Sequence, residues 1–206
     1  MLTIPNPVPS APPAAGFADA VMQSQQTFRA ALQALAHPGS IHDIVVECGV
    51  PPGLSLGMTA MLLALTDVDT PVWLPADTDE SVRHYLRFHC GCPLVNEPMQ
   101  ARFVVVPAGH RAPSLAQCDP GDPAYPDTST TLLLEVESLT QDAGTASVVL
   151  SGPGIATQQT LSVTGLPADF WTQWRANHQL FPLGVDAFLI QGGQLCGLPR
   201  TVMAEG

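Results

Sequence analysis

The 206 residues, 46% of them hydrophobic, are enough for one sizeable core and most simply one domain. Eighteen acidic residues against seven basic ones give a formal charge of −11, which speaks against nucleic-acid binding, because that affinity rests on Lys and Arg neutralising phosphates. All seven basic residues are arginines, and without a lysine there is neither a Walker-type phosphate loop nor a Schiff base to pyridoxal phosphate.

Residues 1–16 are rich in Pro and Ala and start no regular element. They read as an N-terminal arm, draped on the surface or wrapped around a partner, and lack the basic region and apolar run of a secretory signal. An α/β domain is expected over 17–206. Phe17, Val21, Phe28, Leu32 and Leu35 recur at helical spacing with glutamines between them, so the pattern predicts an amphipathic helix of roughly five turns. The helix must end by His37, since the residue before Pro38 is pushed out of the α region and Gly39 follows. A strand is predicted over Ser40–Glu47, then a turn over Gly49–Gly53. Leu54–Leu65 reads as a buried helix, apolar nearly all round but too short to span a bilayer. Thr70–Pro75 is predicted as a short strand. Asp77-Thr78-Asp79-Glu80 has the form of a helix start, and that helix should run to about His89 and break at Gly91.

Ala101–Val106 is a β-branched strand, followed by a long Pro-, Gly- and Asp-rich loop over 107–128, either functional or an ordered surface loop. Thr130–Glu137 is a strand. Thr145–Leu150 and Thr160–Val163 read as paired strands joined through Gly152-Pro153-Gly154. Pro167 suits the first turn of a helix carrying Phe170, Trp171 and Trp174 as far as about Gln179. Phe181-Pro182-Leu183-Gly184 forms a rigid corner. Beyond it Asp186–Gln191 and Gln194–Leu198 flank Gly192-Gly193, a hairpin signal. The first of these runs is apolar at consecutive positions, as in a central strand covered on both faces, with Asp186 at its mouth. Helices and strands interleave from end to end, which favours a single mixed sheet flanked by helices.

Few residues suggest chemistry. His84, His89, Cys90 and Cys92 lie close together, but their spacing is a poor zinc pattern, and Cys48 or Cys118 would join them only if the fold allowed it. The alternative is cysteines packed as small hydrophobes. Five cysteines without framework spacing point to reduced thiols in the cytoplasm. His37 is a candidate base or phosphonate ligand, or else caps the first helix. Gly152 and Gly154 could offer amides to an anion, or simply turn the chain. Asp186 and Arg200 stand at opposite ends of the last hairpin, as an ion pair or as a guanidinium exposed for a phosphate or a partner's carboxylate.

Three stretches carry a resemblance: Phe28-Arg29 with Ala34-Leu35-Ala36-His37-Pro38-Gly39-Ser40-Ile41, then Leu150-Ser151-Gly152-Pro153-Gly154-Ile155, and last Phe181–Asp186 through Leu198-Pro199-Arg200-Thr201. In order and spacing they resemble the H subunit of the bacterial carbon–phosphorus lyase system, which degrades organophosphonates. The resemblance implies a fold like that of pyridoxal-phosphate-dependent transferases without the cofactor site. It implies a subunit of a multi-subunit complex; with no lysine, few arginines and strong negative charge the chain is expected to be an accessory one, and an apolar face left over in isolation would pair two copies as a homodimer. With partner subunits it would assist transfer of the ribose-triphosphate group of a nucleoside triphosphate to an alkylphosphonate, with loss of the base. Mg²⁺ would enter only with nucleotide in the complex. The alternative is a stand-alone small-molecule enzyme using His37 or a bound metal.

Overall fold

The computed structural model describes residues 12–144 and 146–205. In chain order the elements are α1 (Ala20–Ala36), β1 (Ile41–Asp43), α2 (Leu56–Leu65), β2 (Val72–Trp73), α3 (Glu80–His89), β3 (Leu94–Val95) and β4 (Phe103–Val106). There follow β5 (Thr131–Glu135), β6 (Ser138–Thr140), β7 (Ser147–Ser151), β8 (Gln159–Thr164), α4 (Phe170–His178), β9 (Asp186–Gln191), β10 (Gln194–Leu198) and β11 (Met203–Glu205). No helix among the described residues is long and apolar enough to cross a membrane.

The strands form two sheets where the sequence pattern suggests one. A seven-stranded mixed sheet has the order β1-β10-β9-β5-β4-β2-β3, parallel from β3 to β9 and antiparallel from β9 to β1. A four-stranded antiparallel sheet has the order β11-β7-β8-β6. The split falls at 136–137. There Val136 N–H still donates to Ile190 O in the large sheet, while Glu137 N–H donates to Thr164 O in the small one. Periodicity identifies a strand but not its partner, so the run read as one strand over Thr130–Glu137 ends at Glu135, and β6 begins in the other sheet.

Side chains of the large sheet alternate between two cores, as period-two geometry requires. Val105, Leu133, Phe188, Ile190 and Leu195 pack with α1, α2 and α3. Val104, Leu132, Leu134, Ala187, Leu189 and Cys196 pack with β7, β8, α4 and β11. The order is therefore helices, large sheet, then small sheet with α4. β9 lies between β5 and β10 with Ala187 to Ile190 all buried, which is the central strand expected from its unbroken apolar run. Its hairpin has the two-residue turn, Gln191 facing Gln194 across Gly192-Gly193.

α1 departs from expectation. Asp19 caps it, accepting from Met22 N–H at 3.0 Å, so Phe17 lies outside the helix and bridges to Cys48 instead. The face that packs is Thr27, Ala31 and Ala34. Val21, Phe28 and Leu32 are 79%, 47% and 49% exposed. The reason is close approach: the backbone of Ala34 lies on Gly197 of β10, where any Cβ would come within 2.6 Å of the Ala34 carbonyl. Small residues allow that contact and large ones do not, so the bulky row turns outward.

The 107–128 loop is ordered by 3₁₀ turns at Leu115–Gln117 and Pro126–Thr128. β3 and β11 carry too few residues to announce themselves. Of the N-terminal arm, residues 1–11 lie outside the described residues, and Pro12–Gly16 run against α3, where Tyr85 Oη–H donates to Ala15 O at 3.2 Å. The predicted strand start Thr145 also lies outside them.

Candidate functional site

Hairpin register decides where Arg200 falls. Leu198 faces Ala187 in β9, so the chain just beyond Leu198 runs alongside Asp186. The Asp186 carboxylate accepts from Arg200 backbone N–H at 2.7 Å, from Nε at 3.1 Å and from Nη2 at 2.6 Å. Nη1 donates to Pro126 O at 2.9 Å and Pro182 O at 3.4 Å, and Nη2 also reaches Ser129 Oγ. The guanidinium, 11% exposed, thus ties the end of the long loop, the Phe181-Pro182 corner and the close of β10 to one carboxylate. Its donors are committed to protein acceptors.

His37 caps α1. Its backbone N–H donates to Gln33 O at 2.9 Å, and its exposed ring places Nδ1 3.2 Å from the same oxygen. Nearby, Ser40 Oγ donates to His37 O and meets His42 Nε2 at 2.8 Å. Burial, with His37 beside it, lowers the His42 pKa. Gly154 has φ +84°, and a Cβ there would lie 2.4 Å from Ala36 O; Gly152 has φ +134° and lies against Thr201 O. What faces this turn is carbonyl oxygen, which repels an anion. The glycines let the turn dock on the end of α1 and on the segment after β10. The three stretches behind the resemblance therefore meet in one place, joined by backbone close contacts at Gly152, Gly154 and Gly197.

His89 Nε2 hydrogen-bonds Ala14 O at 2.8 Å, and its ring packs on Tyr85 and Phe88 at centroid distances of 4.4 and 4.9 Å. It holds the arm. Cys90 and Cys92 are buried in the helical core, whereas Cys118 is buried in the core on the other side of the large sheet, so the fold keeps them apart. Burial pushes the Cys92 thiol up to about 11 and Cys118 up to about 12, and raises Cys48. Neutral buried thiols are poor metal ligands and poor nucleophiles. His84 lies half-buried on α3. No group of three or more His, Cys, Asp or Glu among the described residues is arranged to hold a metal ion.

A large concave feature lies elsewhere, and none of the candidates above touches it. The chain leaves β2 outward through α3 to β3, and leaves β4 inward to β5. The carboxyl ends of β2 and β4 thus diverge, and that is where open α/β sheets form a ligand crevice. Two adjoining cavities of about 470 and 590 Å³ open there and share Arg111, Ala112, Pro167 and Asp169 as a common wall. Trp73 and Glu97 line one; His110, Glu135 and Glu137 line the other. The loop that carries Arg111 is pinned at both ends. Ala108 N–H donates to Glu135 Oε2 at 2.9 Å, and Leu115 N–H and Ser114 Oγ–H donate to Gln173 Oε1 at 2.8 and 2.9 Å. Glu135 also accepts from Ser55 N–H, the N-cap of α2, at 2.6 Å. The one sequence signal for this trough was the long loop itself; its floor depends on strand order.

Fold and sites together define a layered α/β protein whose ionisable groups mostly anchor loops and termini, with one polar trough at the strand ends. The chain belongs to the family described as "Bacterial phosphonate metabolism protein (PhnH)", which matches residues 15–205. It is 36% identical over 190 residues, 92% of this chain and 94% of the relative, to the alpha-D-ribose 1-methylphosphonate 5-triphosphate synthase subunit PhnH of Rhizobium meliloti (strain 1021). It is 27% identical over 184 residues, 87% of this chain and 84% of the relative, to HtxG of Stutzerimonas stutzeri, which carries the name of a C-P lyase subunit protein.

Proposed function

We propose that the chain is an accessory subunit of a phosphonate-degrading carbon–phosphorus lyase core complex. With its partners it assists transfer of the ribose-triphosphate group of a nucleoside triphosphate to an alkylphosphonate, with loss of the base. The observation that carries the reading is the row Val21, Phe28 and Leu32 exposed on α1. An apolar helix face left open on an acidic chain is a surface for another protein. Two named relatives are subunits, which agrees. Arg200 is committed to Asp186 and to loop carbonyls and the chain has no lysine, so most of the cations for a triphosphate, and Mg²⁺ bound with the nucleotide, come from the complex. The chain itself is read as holding no pyridoxal phosphate, for want of a lysine, on a fold of the pyridoxal-phosphate-transferase type and in the cytoplasm.

In isolation the same face pairs with a second copy. Val21, Gln25, Phe28 and Leu32 are spaced four, three and four residues apart. That spacing reads the same in both directions, as an antiparallel two-fold helix pair requires. No acidic residue occurs between Asp19 and Asp43, so two copies of a chain of charge −11 can meet here without opposing carboxylates. The test is to purify the tagged chain from phosphonate-grown cells and identify what comes with it, and to measure mass and turnover of the chain alone. Partners in defined ratio, with a dimer and no turnover when alone, are expected, and Phe28→Glu with Leu32→Glu should give a monomer. Turnover of nucleoside triphosphate and methylphosphonate by the chain alone would overthrow the reading.

A further inference from the structure

The trough at the carboxyl ends of β2, β4 and β5 is not needed for the subunit reading, yet it has the build of a ligand site. Its two cavities, about 470 and 590 Å³, fall in the range of small-molecule sites. Three observations describe what it would hold. Among the described residues Arg111 forms none of the ion pairs and no side-chain hydrogen bond, although it stands on the wall between the cavities. Asp169 occupies the N-cap position of α4 but makes no capping hydrogen bond, so its carboxylate is left over at the same wall. The loop between is fixed at Glu135 and Gln173, which reduces the ordering needed on binding. Glu137 and Trp73 complete the two ends, one polar and one aromatic.

We propose that this trough binds a small zwitterion, an organic molecule carrying an oxyanion and an ammonium group a few bonds apart. Arg111 grips the oxyanion and Asp169, with Glu137, takes the ammonium. A simple anion gains the guanidinium but meets the carboxylates, and a simple amine meets the reverse. Only a molecule with both charges satisfies the guanidinium and the carboxylates together, and specificity here comes from the group that would otherwise face its like charge.

The experiment titrates the isolated chain with 2-aminoethylphosphonate, ethylphosphonate, ethylamine and β-alanine. Binding is followed by calorimetry and by the amide and indole cross-peaks of Trp73, whose Nε1–H donates to Asn96 O at the trough's rim. The zwitterion should bind saturably and at least about tenfold more tightly than either half, the order of one charge-assisted contact. Arg111→Gln should lose that binding. Asp169→Asn should lose the preference of 2-aminoethylphosphonate over ethylphosphonate while keeping the oxyanion. β-Alanine binding as tightly as 2-aminoethylphosphonate would assign the site to amino acids, and weaker binding would assign it to aminophosphonates; both support the zwitterion. No shift of Trp73 by any probe, equal binding of ethylphosphonate and the zwitterion, or Arg111→Gln that binds as wild type does would each overturn it. Both substitutions are at exposed positions, and the wild-type titration alone decides the case if either variant fails to fold. Loss of the subunit reading would show in mass and partners, not in this titration.

Discussion

Asp186→Asn tests whether the Arg200 clamp holds the fold or serves a ligand. Asparagine keeps an oxygen for the Arg200 backbone N–H but removes the charge facing a guanidinium that is 11% exposed. Removing one partner of a buried pair costs about 3–5 kcal/mol, because the other charge stays behind uncompensated. Asp186 is itself 21% exposed, so some water reaches the pair and a cost somewhat below that range, about 2–3 kcal/mol, is expected. In a chain of this size that lowers the melting temperature by roughly 5–10 °C. Ser129→Ala, which removes one hydroxyl acceptor from the same guanidinium, should cost only about 1 kcal/mol. Urea unfolding followed by tryptophan fluorescence gives both values. An Asp186→Asn protein with the wild-type unfolding midpoint that no longer supports the complex's activity would refute the structural assignment, because the pair would then be acting on something other than the fold.

Leu189→Asp places a carboxylate on a fully buried position of the central strand, where loss of the leucine alone costs about 2–5 kcal/mol and an unpaired charge costs several more; soluble protein with normal melting would show that β9 is not central. Gly154→Ala must hold a side chain at φ +84° with its Cβ 2.4 Å from Ala36 O, so a loss of about 1–3 kcal/mol is expected, and an unchanged melting curve would contradict the docking described for this turn. Burial raises Cys92 to about 11 and Cys118 and Cys196 to about 12, above the unfolded thiol value, so stability is intact below about pH 8.5 and drains as pH climbs toward those values, by roughly 1.4 kcal/mol per pH unit for each thiol. With no lysine in the chain, urea midpoints between about pH 8 and about pH 10 report mainly the buried thiols, before the buried Tyr85 phenol, whose pKa burial also raises, adds its own loss, and a flat profile would refute the burial argument.

What the sequence made legible were features written locally. The hairpin at Gly192-Gly193 and the two-sided burial of β9 follow from a run of adjacent apolar residues and a glycine pair. α3 was legible from its cap, shifted within the predicted box: Asp79 accepts from Ser81 N–H at 2.7 Å, and the helix opens at Glu80. α1 was legible as a helix but not in its facing, because hydrophobic periodicity weighs bulk, and this contact selects for smallness at Ala31, Ala34 and Gly197. The second sheet and the trough were not legible. Both depend on which strands lie side by side, and no local pattern encodes that β4 stands between β2 and β5.

The outward row of α1 and the trough lie at different places along the large sheet. α1 packs on β10 and β1, at one end of the strand order, while the trough opens over β5, β4 and β2 toward the other. From β10 to β5, the nearest strand of the trough, there are two strand intervals, about 10 Å at the usual spacing of about 4.8 Å. A protein seated on the outward row of α1 therefore need not cover Arg111, and a small molecule in the trough need not displace it. Occupancy of one should leave the other available, so Phe28→Glu with Leu32→Glu should abolish self-association and leave the Trp73 response to 2-aminoethylphosphonate unchanged. Competition between the second copy and the zwitterion, seen as a binding constant that weakens with protein concentration, would mean that the dimer contact lies over the trough rather than on α1.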